Sequence, residues 1–525
     1  MDFSLSFVIL CIFITVVLVS MFLFYSYYRR KANYWVGRGV PYEDSHWYLG
    51  SFLGVLTGRE KWNDTCSRIY NSHRGSKFVG VTLYGIPGLF ALDPEMVEAV
   101  LVQDFSHFHE RGIPKNPREP LSNSLSTLSG QKWRSLRNKL TPAFSPGRVK
   151  GMFEQILRCG DRIVDRIEDN SGNEEGIEMQ RIVFKYTTQV IASCTAGIEF
   201  DSDCELWKTF MTVVDLITKA SPKKMAKHCL AIAYPRIMMF LNFPIIDKLV
   251  TDFFLSLTRS ALKFCKCSKT KRNDFLHVML TLKDQEESDK AGDVEGDFDQ
   301  YYQGEDKQMP TNEVFTEFCI ASMLYNFVAA GITPSVNTIS LALFELARDP
   351  GIQRRAQQEI QSCISKYKGL TYEATREMVY LDQIIQETLR LYPARITLVR
   401  MATDNYQIPG TDLVLEPGAV IYIPIAAIQR DPQYYPDPDT FKPERFAGNN
   451  YKSSAIFAPF DHGPRICIAI KFAVLTIKIC IAKILSKYTV RIGSRMQLPL
   501  QFEQRRFILK VEGGVWLKLY SRRDA

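Results

Sequence analysis

Residues 3–24 carry no charged side chain, and no other stretch restricts this chain so tightly. As a helix rising ~1.5 Å per residue, the run spans ~33 Å, enough for one bilayer crossing. Arg29, Arg30 and Lys31 follow shortly after it. A cleaved signal peptide is the other reading of such a run. Asp2 in place of a basic start, and the lack of a small-residue cleavage site, favour a retained anchor. Positive charge on the C-terminal flank alone sets the bulk of the chain in the cytosol. The sequence therefore divides into a transmembrane anchor over 1–28, a basic, turn-rich linker over 29–45 and one large domain over 46–525.

That domain reads as a folded protein in a reducing compartment. Twelve cysteines among 525 residues show no dense spacing, which excludes a disulfide-stapled secreted scaffold. Lys and Arg number 65 against 57 acids, a net +8. Spread over a large surface, that excess argues for no nucleic acid, yet suits an anionic membrane or an acidic partner. Helical periodicity dominates from Trp133 to Leu391, with β-like runs near Lys77–Tyr84, Val414–Ile425 and Phe507–Tyr520. The last reads as a hairpin turning at Gly513-Gly514. Asp284 to Asp306 holds ten acids against one lysine and reads as a solvated loop. Cys229 to Phe243 is apolar, broken by Pro235-Arg236 and too short to span. It suits a buried segment and a patch dipping into a membrane surface equally well.

The chemistry lies near the C-terminus. Phe457 to Ala469 forms a loop leading into an apolar helical run from Ile468 to about Leu485. A cysteine just before a helix N-terminus, here Cys467, sits where backbone N–H groups and the helix dipole stabilise a thiolate. Arg465 adds a cation for a carboxylate, and Gly463 lets the backbone pass close to a bulky ligand. The pattern Phe460-x-x-Gly463-x-Arg465-x-Cys467 resembles the heme-binding loop of the cytochrome P-450 family. The resemblance implies a mainly α fold with a small β region, and Cys467 as the axial thiolate of heme b.

Further motifs extend the resemblance from Tyr34 to the end of the chain. Glu387-Thr-Leu-Arg390 puts an acid and a base on one helical face, and Pro443-Glu-Arg445-Phe446 follows at the family's distance. By resemblance Glu387, Arg390 and Arg445 form the buried triad behind the heme. Trp133-x-x-x-Arg137 resembles the pair that contacts a heme propionate, and Arg111, Arg400 and Arg465 are further propionate candidates. Gly39-Val-Pro41 and the stretch from Ala427 to Pro436 are most similar to insect microsomal members. Four positions depart from the pattern. Asp461 and Ala469 stand where the family has glycine. Ala330-Gly331-Ile332-Thr333-Pro334 matches the family's oxygen-activation stretch with Thr333 for the acid and Pro334 for the alcohol, so Pro334 is expected to interrupt the helix there.

The resemblance implies a heme-thiolate monooxygenase on the cytosolic face of the endoplasmic reticulum membrane. It would insert one oxygen atom into a lipophilic xenobiotic, hormone or lipid, with NADPH electrons arriving through a reductase partner. Lys132, Arg134, Lys139 and Lys471 are candidates for a basic reductase-docking face. The Thr333-Pro334 departure keeps two alternatives open: a hydroperoxide isomerase or dehydratase independent of reductase, and a heme-binding protein with little catalysis. Cys265-x-Cys267, His107 and His109 lack the partners of a separate metal site.

Overall fold

The computed structural model of the chain describes residues 2–116, 118–169, 174–198, 205–219, 221–267, 274–291, 315–449, 452–503 and 509–522. Two of its helices are long and apolar enough to cross a membrane, Phe7–Ala32 and Glu317–Arg348. The apolar stretch of the first is uncovered, and that of the second is mostly buried. The first belongs to a helix Asp2–Ala32 that runs past the expected boundary at 28 and ends on Arg29, Arg30 and Lys31. The linker beyond it is no free tether. Trp35 is buried, its indole N–H donates to the Val81 carbonyl at 2.8 Å, and a Cβ on Gly80 would strike its ring at 2.6 Å.

Glu317–Arg348 forms the axis of the molecule. Its apolar stretch is mostly buried, as expected of a core helix, and one face opens on a cavity. Thr316 caps it by accepting from Cys319 N at 3.1 Å. The helices Met179–Ala196, Val379–Leu391 and Ile470–Lys487 pack against it. Pro334 lies inside this helix without ending it, so the expected interruption is confined to one missing N–H.

The β structure is small and peripheral. A four-stranded sheet runs Phe78–Leu83, Ile86–Ala91, Val420–Ile423, Leu398–Met401 in spatial order, with only the central pair parallel. The run expected near Lys77–Tyr84 is thus a strand. The one near Val414–Ile425 splits into Val414–Leu415 and Val420–Ile423, which belong to different sheets.

Two expectations are corrected. Trp516–Ser521 pairs with Tyr488–Ile492 and with Ile177–Glu178, not with the residues before Gly513. The arm on that side is held elsewhere, Leu509 N by the Ala394 carbonyl and Val511 by a bridge to Phe502, while residues 504–508 lie outside the described part. Phe275–Ala291 is helical, so the acidic stretch expected as a loop from Asp284 begins as helix; residues 292–306 lie outside the described part. Helix propensity of Glu, Gln and Lys carries the pattern past the first acids.

The Cys229–Phe243 segment forms the end of helix Pro222–Ala233 and the short helix Pro235–Phe240. Ala231 and Met238 turn inward, but the outer face is open: Phe240 is 84% exposed, and Leu230, Ile237, Met239 and Leu241 are exposed beside it. The Tyr234 hydroxyl bonds that of Tyr48 at 2.9 Å, and Tyr48 stacks edge-on against Tyr28 near the base of the first helix. The apolar patch and the exposed helix therefore share one end of the molecule.

Candidate active site

A cavity lies between Glu317–Arg348 and the cysteine loop. Cys467 lines it from a tight loop. The turn Gly463–Arg465 precedes the helix Ile470–Lys487, and Cys467 N donates to the Phe460 carbonyl at 2.8 Å. Gly463 has φ +71°, and a Cβ there would lie 2.1 Å from the Leu101 carbonyl oxygen, so only glycine fits. Burial pushes the Cys467 thiol above its ordinary pKa, while the Ala469 N–H, Arg111 and Arg137 pull toward the thiolate. Ala469 sits at φ −99°, a conformation that needs no glycine.

Asp461, at φ +72°, is the surprise of the loop. Its carboxylate accepts from Arg111 Nη2 at 2.9 Å, Arg400 Nη2 at 2.6 Å and His462 N at 2.9 Å. Burial alone would raise its pKa, but Arg400 and Arg111 outweigh burial and hold the carboxyl below its ordinary value. Sequence reading noticed this residue only as a tolerated replacement for glycine; its part as an internal counter-ion emerges from contacts across 350 residues of chain.

The arginines divide into three conditions. Arg465 donates to the carbonyls of His109, Leu125 and Leu128 through Nε, Nη1 and Nη2, and lies 4.1 Å above the Trp133 ring. One Nη1 proton is left, so this side chain mainly ties the cysteine loop to residues 109–128. Arg400 does not line the cavity, although Asp461, which it binds, does. Arg111 and Arg400 each keep a buried Nε without a partner among the described residues. Trp133 and Arg137, one turn apart on Gly130–Leu140, line the cavity with the indole N–H and the guanidinium unspent among the described residues. Arg395 also lines it, a cation that sequence reading missed.

Unsatisfied buried donors are costly, and here they converge on one apolar space with a cysteine at its floor. The donor set fits a flat macrocycle with an iron and two carboxylates: sulfur for the metal, and Arg111, Trp133 and Arg137 for the acids.

On the long helix, Ala330, Gly331, Pro334, Ser335 and Thr338 line the cavity. Thr333 does not, because one residue of helical rotation turns it to another face. Ser335 Oγ donates to the Gly331 carbonyl at 2.8 Å and Thr338 Oγ1 to the Pro334 carbonyl at 3.0 Å. Pro334 returns no N–H to the Ala330 carbonyl.

Behind the cysteine loop the polar groups are fully paired. Arg390 Nε and Nη2 hold Glu387 bidentately at 2.7 and 2.8 Å, both residues at 0% exposure. Arg445 Nε and Lys442 N also donate to Glu387, at 3.3 and 2.9 Å. Gln429, another residue missed in the sequence, accepts from Ala458 N and donates to the Leu389 and Arg390 carbonyls. His107 pairs with Asp404 at 2.6 Å, and His109 Nδ1 accepts from Gly130 N at 3.2 Å, so both imidazoles hold local structure.

Comparisons with known proteins agree with this geometry. The cytochrome P450 family model matches residues 40–517. Cytochrome P450 6a2 of Drosophila melanogaster is 32% identical over 502 residues, covering 94% of this chain and 96% of that protein. Cytochrome P450 6B1 of Papilio polyxenes is 30% identical over 503 residues, covering 95% and 97%. Cytochrome P450 6B2 of Helicoverpa armigera is 30% identical over 516 residues, covering 97% and 98%. The chain that places Cys467 beneath this cavity belongs to the cytochrome P450 family of heme-thiolate monooxygenases.

Proposed function

We propose that this enzyme oxidises lipophilic small molecules at the cytosolic face of the endoplasmic reticulum membrane, with NADPH electrons supplied by a reductase. The observation that carries the reading is Cys467 at the floor of an apolar cavity ringed by unspent cationic donors. When bound, the heme supplies an iron that activates dioxygen, with thiolate ligation favouring O–O cleavage.

The chain's own residues do the rest. Cys467 provides the ligand, and the Ala469 N–H, Arg111 and Arg137 hold its negative charge. Trp133, Arg137 and Arg111 seat the porphyrin carboxylates. Phe327 and Ile191 exclude water from the substrate side. With the hydroxyls of Ser335 and Thr338 donating to backbone, the Ala330 carbonyl opposite Pro334 is the acceptor that positions a proton-bearing water.

The helix over residues 7–32, with its apolar stretch uncovered, and the apolar patch around Phe240 support a membrane location, the helix through the bilayer and the patch at its surface. Residues 1–28 would then be the anchor and 46–525 the catalytic domain. Lys132, Arg134 and Lys471 are exposed and Lys139 half-buried, a basic surface suited to an acidic reductase.

The test is turnover of the full-length enzyme with a purified reductase, NADPH and a panel of lipophilic compounds, beside Cys467→Ala. We expect NADPH-dependent product, and a thiolate-type carbon monoxide spectrum that the variant lacks. A spectrum retained in Cys467→Ala would overturn the ligand assignment. Rearrangement of a fatty hydroperoxide without reductase, with no NADPH-dependent product, would replace the monooxygenase reading by the isomerase one.

A further inference from the structure

The cavity holds one cation that nothing above employs. Arg395 follows helix Val379–Leu391 and precedes strand Leu398–Met401, and it lines the cavity beside Ala394, Leu389 and Thr338. Protein surrounds it, yet its side chain is uncovered toward the cavity. Among the described residues it makes no hydrogen bond and no ion pair, although a guanidinium carries five donors. Burial first, and then Arg111 nearby, push its pKa down to about 10, so it keeps its charge at neutral pH.

The nearby anion is already committed. Asp461 is shared by Arg111 and Arg400. The two porphyrin carboxylates have Arg111 Nε, Trp133 and Arg137 to receive them. Arg395 is therefore a surplus charge facing the cavity, with its donors free for an anion that enters. Away from the charged groups the wall is mostly apolar, with Phe327, Ile191 and Leu125 beside a few neutral polar side chains such as Asn326 and Thr187. A cation at one point of an apolar cavity matches a ligand with one acid group and a long hydrocarbon body.

We propose that Arg395 is a specificity-determining residue that binds the carboxylate of an amphipathic acid substrate. The assignment rests on the monooxygenase reading for the cavity being a substrate pocket. A carboxylate on Arg395 fixes one end of the molecule and leaves the chain to reach toward the iron side, so it selects acids over neutral lipids of equal length.

Calorimetric titration of the heme-loaded, full-length protein with dodecanoate and with dodecanol tests this. The native protein is expected to bind the acid at least about tenfold more tightly, the range of a hydrogen bond to a charged group. Arg395→Gln should abolish that preference with dodecanol binding and heme content unchanged, and Arg395→Lys should retain part of it. Equal affinities in the native protein overturn the proposal. So does an Arg395→Gln protein that keeps the preference but loses heme, because the carboxylate served would then be the porphyrin's. A missing thiolate spectrum would instead strike the monooxygenase reading, since the calorimetric preference is read without reference to the iron ligand.

Discussion

Two buried arginine clusters flank the cysteine loop, and they differ in what they lack. Around Glu387 each of the charges meets its complement: Arg390 is bidentate, Arg445 and Lys442 N complete the carboxylate, and Gln429 ties the neighbouring carbonyls. No side-chain atom of these residues is buried and unpaired. Around Asp461 one carboxylate faces Arg111 and Arg400, two buried Nε atoms stay unpaired, and Arg137 and Arg395 stand open to the cavity. A closed network specifies a fold, because any loss strands a charge. An open one costs stability in the empty protein and recovers it when a ligand brings anions. The same residue type thus serves structure on one side of the loop and binding on the other.

The largest expected effect comes from breaking the closed cluster. Glu387→Ala leaves Arg390 as a fully buried, uncompensated cation, a loss of about 3–5 kcal/mol. Against a total of about 5–15 kcal/mol, that is enough to abolish most of the folded yield. Replacing both partners, Glu387→Leu with Arg390→Leu, should recover part of the loss, because the fully buried Arg390 charge is no longer stranded and only the more exposed Arg445 loses its carboxylate. Thermal melts and soluble yield of the two variants decide it. A single variant as stable as the native protein would show that the cluster is not closed in the sense argued here.

Asp461→Gly is the matching change in the open cluster, and its cost should depend on heme. Without heme the variant strands Arg111 and Arg400, a loss of about 1–3 kcal/mol, partly offset because glycine relieves the φ of +72°. With heme the porphyrin carboxylates replace the missing anion. Heme should therefore raise the melting temperature of the variant by more than it raises that of the native protein. Removing a negative charge beside the porphyrin should also shift the reduction potential upward. Since the folded carboxyl titrates below its ordinary 3.8, its contribution is complete above that pH and disappears as pH falls through the lower folded value. An equal heme-induced gain in both proteins would mean that Asp461 is no counter-ion to the seat.

How much of this was legible in the sequence follows from the range of each interaction. Glu387 and Arg390 are three residues apart on a helix, so spacing alone set them on one face. Cys467, Gly463 and Arg465 belong to one loop, and the uncharged run over 3–24 needs no tertiary context. Mostly helical structure with a small sheet was legible for the same reason. The open cluster was not, because Asp461 meets Arg111 and Arg400 only through the fold. Arg395 gave no local signal at all. The Gly513-Gly514 turn misled because strand partners are chosen by packing: Trp516–Ser521 found Tyr488–Ile492, already held at the end of the helix before it. Thr333 and Pro334 are adjacent in sequence, and adjacency hid the rotation that separates them.

The smallest expected effect probes the long helix, where a single missing N–H stands between the two conditions. Pro334→Thr restores a backbone donor for the Ala330 carbonyl and adds a hydroxyl on the cavity face. An interior proline can cost ~3 kcal/mol against alanine, but the helix already runs unbroken from Glu317 to Arg348, so the fold has absorbed most of that cost. A gain near ~1 kcal/mol, about a degree or two in melting temperature for a chain this large, is expected. The gain in product formed per NADPH consumed should also be modest. Ser335 and Thr338 both donate their hydroxyls to the carbonyl four residues back, and a new hydroxyl at 334 meets the same acceptor at Ala330. It would then offer its lone pairs, not its proton, to the cavity. Thr333→Glu should add nothing to the product yield, because that position does not line the cavity. Coupling measured with any accepted substrate checks all three proteins side by side. A severalfold rise for Pro334→Thr would show that the hydroxyl escapes the helix backbone and that the native enzyme forgoes an efficient proton donor at this position.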